Sequence, residues 1–294
     1  MNAYKKLIIL FTMLLSLALS GCFHGNMEMT INEDGSVHNK HRYTGNPFLL
    51  KKININELRD IYAPLGDIKE IVQGDTRGFE VEFDYPDIES MAKDKEIGIA
   101  KAYKGKNLGV AKKSGWFFDD YRFDFLMKGK GRRNDGLDGL SGADVSYMLT
   151  INFPEAAKNH NADMVTPDGK TLTWNLLTHI ITGQDQFMKA DFRIYHKDHI
   201  ILTACVAFIL ILLAILLFVK ARSASQAAEN SGEGESVETK GFAVPLISKA
   251  LVIIALLIGI FALYSFKSEA TFTEADSIAY VAGQETDKAS EDKK

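Results

Sequence analysis

Apolar and polar positions alternate with a period of two through most of the stretch from Phe23 to His199 in this 294-residue chain. Met27, Met29 and Ile31 fall on one face, opposite Glu28, Thr30 and Asn32, and Asp34-Gly35 then supplies a hairpin turn. Val37 and Tyr43 continue a weaker strand beyond it. Phe79, Val81, Phe83 and Tyr85 share a face opposite Glu80, Glu82 and Asp84. Tyr121, Phe123 and Phe125 repeat the pattern, as do Tyr147, Leu149, Ile151 and Phe153 before Pro154. Leu172, Trp174 and Leu176 follow the turn Pro167-Asp168-Gly169, and Met188, Ala190, Phe192 and Ile194 make a last strand. Strands with one apolar face predict an antiparallel sheet, packed on one side and wet on the other.

The helical signal is thinner. Asn54 is placed to cap a short helix with Ile55, Leu58, Ile61 and Tyr62 on its inner face, ending near Pro64 and Gly66. A second begins at Asp87 with Ile88, Met91 and Ala92 turned inward. No internal repeat interrupts the pattern. The fold class is therefore α+β: an antiparallel sheet with a few short helices, forming one domain over residues 22–199.

Three longer apolar runs carry no alternation. Leu7 to Leu19 follows a lysine-bearing start and ends at Leu19-Ser20-Gly21-Cys22, the layout of a secretory signal peptide over residues 1–21. Ile200 to Val219 is 20 residues without a charge, about 30 Å as a helix and equal to a bilayer core. Ala250 to Phe266 is 17 residues, about 25 Å and at the short end of the spanning range. Lys249 at its flank can snorkel to the interface, and Tyr264 and Phe266 suit an aromatic belt at the opposite end.

The tetrapeptide Leu19-Ser20-Gly21-Cys22 resembles the lipobox of bacterial lipoproteins. The resemblance implies that Cys22 is acylated, as by palmitate, and anchors the chain on the outer side of the cytoplasmic membrane. Residues 22–199 are then extracytoplasmic, residues 200–219 and 250–266 span, and the segment 220–249 is a cytoplasmic, flexible loop. Lys220, Arg222, Lys240 and Lys249 in that loop agree with the positive-inside tendency. Residues 267–294 return outside, with seven acidic and four basic residues, and read as a largely disordered tail. The two cysteines, Cys22 and Cys205, leave the external domain without a disulfide, so its core alone must hold it.

Catalytic signatures are missing: no HExxH, GxSxG, P-loop or cysteine pair of metal spacing occurs. His38 and His41 fall on opposite faces of a strand, and His196 and His199 adjoin the first membrane run without a third ligand in view. Asp119 and Asp120 read as a solvated turn. No enzyme activity, cofactor or metal is expected. The net charge is −4, yet Lys93 to Arg133 holds twelve Lys/Arg against five Asp/Glu. Within it Lys101, Lys104, Lys106, Lys112 and Lys113 precede Trp116, Phe117 and Phe118, a basic-aromatic combination suited to an anionic membrane face. The alternative is a solvated loop with Trp116 and its neighbours in the core.

The run Met27-Glu28-Met29-Thr30-Ile31-Asn32-Glu33-Asp34-Gly35-Ser36 resembles LppM-like bacterial lipoproteins, a family of largely unknown function. Leu149-Thr150-Ile151-Asn152-Phe153-Pro154, then Asn161 and Asp168-Gly169-Lys170-Thr171-Leu172-Thr173-Trp174, is similar to its second half. The resemblance implies an α+β envelope domain for which lipid binding has been suggested. This chain departs by its second membrane run and its tail. The expected protein is a non-enzymatic envelope lipoprotein that contacts membrane lipids and binds a lipid or anionic envelope component. The alternative is an accessory or structural subunit of a membrane protein complex. The compartment disfavours nucleic acid as a partner.

Overall fold

The computed structural model describes residues 22–52, 55–94, 109–127, 144–231 and 238–278. Residues 1–21, expected as a signal peptide, Lys101, Lys104, Lys106 and the last part of the tail lie outside the described residues. The described chain divides into two compact units, one of residues 114–119 and 195–271 and one of the remainder.

In the larger unit, β1 (Phe23–Ile31) and β2 (Val37–Gly45) form the expected hairpin. Asp34 accepts from the Ser36 amide at 3.0 Å, and Gly35 takes φ +85°, a left-handed backbone that costs glycine little. Then follow α1 (Pro47–Lys52), α2 (Ile55–Tyr62), β3 (Ile68–Gln73), β4 (Thr76–Tyr85) and α3 (Ile88–Lys93). Asp87 caps α3 by accepting from the Ser90 amide at 2.6 Å, and its Ile88, Met91 and Ala92 are buried as the periodicity predicts. Beyond lie β5 (Gly109–Ser114), β6 (Phe118–Met127), β7 (Val145–Asn152), β8 (Met164–Val165), β9 (Thr171–Asn175), α4 (Leu177–Thr182) and β10 (Gln186–Tyr195).

Among the described residues these strands make a seven-stranded sheet, ordered β3-β4-β2-β1-β7-β9-β8, and a three-stranded sheet, β10-β6-β5. The α+β class stands, with one addition. β1 pairs antiparallel with β2 but parallel with β7, Met27 lying opposite Leu149. A parallel pair needs a long crossover, which the chain from β2 to β6 provides.

The predicted inner faces meet in one core. Met27, Met29, Ile31, Val81, Phe83, Leu149 and Trp174 of the larger sheet share it with Phe123, Met188 and Phe192 of the smaller. The rings of Phe153 and Phe192 are centred 4.9 Å apart. Burial of each such side chain contributes about 1.5–3 kcal/mol. Gly25 leaves room for a ring: a Cβ there would meet Tyr147 Cδ2 at 2.2 Å. On α2, Tyr62 is buried as expected, but Ile61 is 39 % exposed. Ile55 and Tyr62, seven positions apart on this eight-residue helix, face the core along one stripe, which turns Ile61 outward.

The pair Asp119 and Asp120 is a second departure. Neither occupies a solvated turn; both lie in β6, where Asp120 accepts from Arg193 Nε at 2.7 Å. Beside it, Arg122 grips Asp191 with two bonds of 2.6 and 2.7 Å. The strand begins at Phe118, ahead of the alternation of Tyr121 and Phe123, so Asp119 falls on the buried side with those rings, while Asp120 falls on the outer side and is satisfied there by a cross-strand arginine.

Past the second long helix the chain rejoins the larger unit. The guanidinium of Arg122 lies over the ring of Phe272 at 4.7 Å, Lys113 meets Asp276 at 3.6 Å, and Ser277 bridges Ala111 of β5. The beginning of the segment expected as a tail is thus built into the domain; residues 279–294 lie outside the described residues. Burial pushes the Asp276 carboxyl up, but the Thr273 donors and the Lys113 charge outweigh it and hold it below its usual range.

The smaller unit is dominated by α5 (Lys197–Ser231) and α6 (Glu238–Lys267). Both are long and apolar enough to cross a membrane, over Lys197–Ser223 and Leu246–Lys267, with mean hydropathies of 3.3 and 2.7. Ala214 of α5 and Ala255 of α6 are buried, whereas most of the Leu, Ile and Phe side chains around them are exposed. Small residues let the helices approach, and large ones face outward. The loop expected over 220–249 is helical at both ends, α5 running on to Ser231 and α6 starting at Glu238; residues 232–237 lie outside the described residues.

Candidate functional site

The strands β5 and β6 are joined by a tight turn, closed by the Gly115 amide donating to the Phe118 carbonyl at 2.9 Å. The turn projects Trp116 and Phe117, and both engage the long helices within the smaller unit. The Trp116 indole donates from Nε1 to Thr203 Oγ1 at 3.1 Å and stacks on His199, the ring centroids 4.5 Å apart and the planes 17° from parallel. The Trp116 carbonyl accepts from Nδ1 of both His199, at 2.9 Å, and His196, at 3.3 Å. A carbonyl only accepts, so each imidazole carries its proton on Nδ1. His196 Nε2 faces Asp119 at 3.4 Å, and the His196 amide donates to the Phe117 carbonyl at 2.8 Å.

Phe117 and Phe118 complete an aromatic cluster. Phe117 stacks on Phe266 at 5.3 Å and leans on Phe261 at 5.9 Å; Phe118 contacts Tyr195 edge-on at 6.0 Å and Phe266 at 5.9 Å. Phe117 and Phe118 are buried, while Trp116 is 52 % exposed. Beside Trp116 an apolar cavity of about 420 Å³ opens between the helices, lined by Phe117, Leu202, Val206 and Phe261 among others. The histidines thus serve to fix an aromatic turn on two apolar helices, and among the described residues no group of three or more His, Cys, Asp or Glu is arranged to hold a metal.

The basic half of the predicted segment divides differently. Lys112 pairs with Glu89 of α3 and lies over the Tyr121 ring at 5.4 Å, and Lys113 pairs with Asp276. Both lysines are therefore spent within the protein. Lys101, Lys104 and Lys106 lie outside the described residues, so the structure brings together Lys112, Lys113, Trp116, Phe117 and Phe118 only as neighbours along one hairpin.

Cys22 is half-buried and sits directly against the domain. Its carbonyl accepts from the Asn46 amide at 3.0 Å, and the next residue, Phe23, is already the buried start of β1. The opposite end of the domain is as abrupt: only His196 separates β10 from α5.

Sequence reasoning passed over one polar cluster. Asn39 and His41 lie on the inner face of β2, 1 % and 2 % exposed, and neither Asn39 Nδ2 nor His41 Nδ1 has a hydrogen-bonding partner among the described residues. His41 is packed edge-on against Tyr62 at 5.0 Å and Phe83 at 5.2 Å. Tyr43 is fully buried beside it, its hydroxyl 3.1 Å from that of Tyr62. Burial lowers the His41 pKa to about 4 and raises that of Tyr62. The period-two phase of Val37 and Tyr43 held the signal, since it places both polar residues on the packed side.

Among solved structures, the chain is distantly similar to the folded domain of the Mycobacterium tuberculosis LppM protein, determined by NMR, at 15 % identity and a TM-score of 0.36 over 60 % of this chain and 92 % of that one. No protein-family model and no curated protein matches the chain.

Proposed function

We propose that this is a non-catalytic membrane protein of the bacterial envelope, acylated at Cys22 and doubly spanning, whose external domain works at the membrane surface on a lipid or another anionic envelope component. The observation that carries the proposal is the shortness of every connection between the domain and a membrane attachment. Cys22 precedes β1 with no spacer, His196 alone separates β10 from α5, and after α6 ends at Lys267 the chain is back on the domain by Phe272. Tethers of so few residues reach no more than about 3.5 Å per residue. A domain held in this way has its ligands at the headgroup layer and none deep in the envelope.

The return of the chain after α6 supports the same topology. Chain before α5 and chain after α6 belong to one unit, which is the arrangement two crossings would produce. The turn bearing Trp116 fits an interfacial role, because an indole with an apolar body and a satisfied N–H suits headgroup depth. A reporter active only in the cytoplasm is expected to work when inserted at Gly234 and to fail at Gly169 or after Ser290. Activity after Ser290 would refute the double crossing and with it the proposed site of action.

A further inference from the structure

We infer a phospholipid site between the two long helices, at the end opposite the aromatic turn, with Lys249 as the headgroup contact. A groove of about 470 Å³ opens there. On α5 its wall is Ile211, Ala214, Ile215 and Phe218, spaced as one helical face. On α6 it is Val252 and Ile253, with Ser248 and Lys249 at the rim. The wall suits an acyl chain and nothing polar; the rim suits an anion.

Lys249 is the reason to name an anionic lipid. It lies within the apolar stretch Leu246–Lys267 and is exposed. Among the described residues no acidic side chain pairs with it. Between Asp198 and Glu229 on α5, and after Glu238 on α6, the helices carry no carboxylate at all. Lys220 and Arg222, both exposed, follow Phe218 on α5 at the same end. A cation inside an apolar stretch is costly unless it reaches the interface or meets an opposite charge. A lipid phosphate meets it without any change in the protein, while the acyl chain of the same molecule covers the groove below. Basic pockets between membrane helices hold anionic headgroups by this combination.

This site rests on the double crossing proposed above, but the test does not depend on which side is which. The full-length protein is reconstituted in bilayers of equal phosphatidylglycerol and phosphatidylcholine, which present both lipids on both faces, and retained lipid is counted by native mass spectrometry. The parent is expected to prefer phosphatidylglycerol about fivefold, the ratio that about 1 kcal/mol per nearby cation represents. Lys249→Gln should lower the ratio clearly, leaving what Lys220, Arg222 and the external domain contribute. Lys267→Gln, at the far end of α6, should leave it unchanged, and Ile215→Trp should reduce retained lipid of both kinds by filling the groove. A ratio that Lys249→Gln leaves unchanged, or one that Lys267→Gln lowers equally, overturns the site. A failed topology with an intact Lys249 effect would refute the crossing and leave the lipid contact standing.

Discussion

The guanidinium of Arg122 lies over the ring of Phe272 at 4.7 Å, joining a strand of the domain to chain that follows both long helices. Arg122 is already committed to Asp191 by a bidentate pair, so its flat upper face is presented to the ring in a fixed orientation. The contact, with the Lys113–Asp276 pair and the Ala111–Ser277 bridge, turns the start of the tail into a strap across the smaller sheet.

Phe272→Ala is expected to loosen this strap. A cation–π contact is worth about 0.5–2 kcal/mol. Limited proteolysis of the full-length protein should cut the variant faster within residues 272–278, while the proteolysis of β1 to β4 stays unchanged. Equal rates at the strap would show that the contact holds nothing.

His41 makes the domain acid-sensitive. An unfolded histidine takes up its proton near pH 6.5, whereas His41 in the fold does so only at about 4. Above pH 6.5 the imidazole is neutral in both states and the proton adds no difference; stability is lost as pH falls from there toward 4, by up to about 3 kcal/mol. His41→Leu, compared with the parent by denaturant midpoints at pH 7.5 and pH 4.5, should have a clearly smaller acid-induced loss. A parallel pair of pH profiles would rule His41 out as the cause.

Gly25→Val should destabilise the domain by about 1–3 kcal/mol, since the added side chain must displace the Tyr147 ring from a filled core. Tyr147→Ala in the same chain should recover part of the loss. Additive losses in the double variant, measured by thermal unfolding, would place the strain elsewhere.

Cys22→Ser should abolish incorporation of labelled fatty acid and slow removal of residues 1–21. The protein should still sediment with membranes, because α5 and α6 remain. Labelling that persists in the variant would remove Cys22 as the anchor.

The basic-aromatic segment gives a prediction in two parts. Replacing Lys104 and Lys106 with Gln should weaken association with phosphatidylglycerol-rich bilayers, more at low salt than at high, because exposed charges are screened over about 10 Å at 0.1 M. Lys112→Gln should instead lower stability, by about 0.5–1 kcal/mol, through the loss of its partly buried pair with Glu89. Trp116→Ala should reduce the depth at which the turn meets lipid, read by quenching with brominated lipid of the remaining tryptophan, Trp174, and of a tyrosine-to-tryptophan reporter at Tyr264. Unchanged quenching at Tyr264 would detach Trp116 from the interface.

Much of this protein was legible in its sequence because the relevant forces are local in the chain. A period of two puts Met27, Met29 and Ile31 on one side whatever the partner strand, and twenty uncharged residues after His199 make a helix that only another apolar surface or a bilayer will cover. Asp34-Gly35 fixed its own turn, and Asp87 its own helix start. What tertiary structure decided was which surfaces meet. Parallel pairing of β1 with β7, the arginines that receive Asp120 and Asp191, the settling of Phe117 against Phe266 and the strap of Phe272 on Arg122 all join residues far apart in sequence. Pairing energies of this kind depend on distance and burial in three dimensions, to which periodicity is blind. Asn39 and His41 show the division within a single strand. Alternation assigned them a side, and only the packing of Tyr62 and Phe83 against His41 made that imidazole buried and hard to charge.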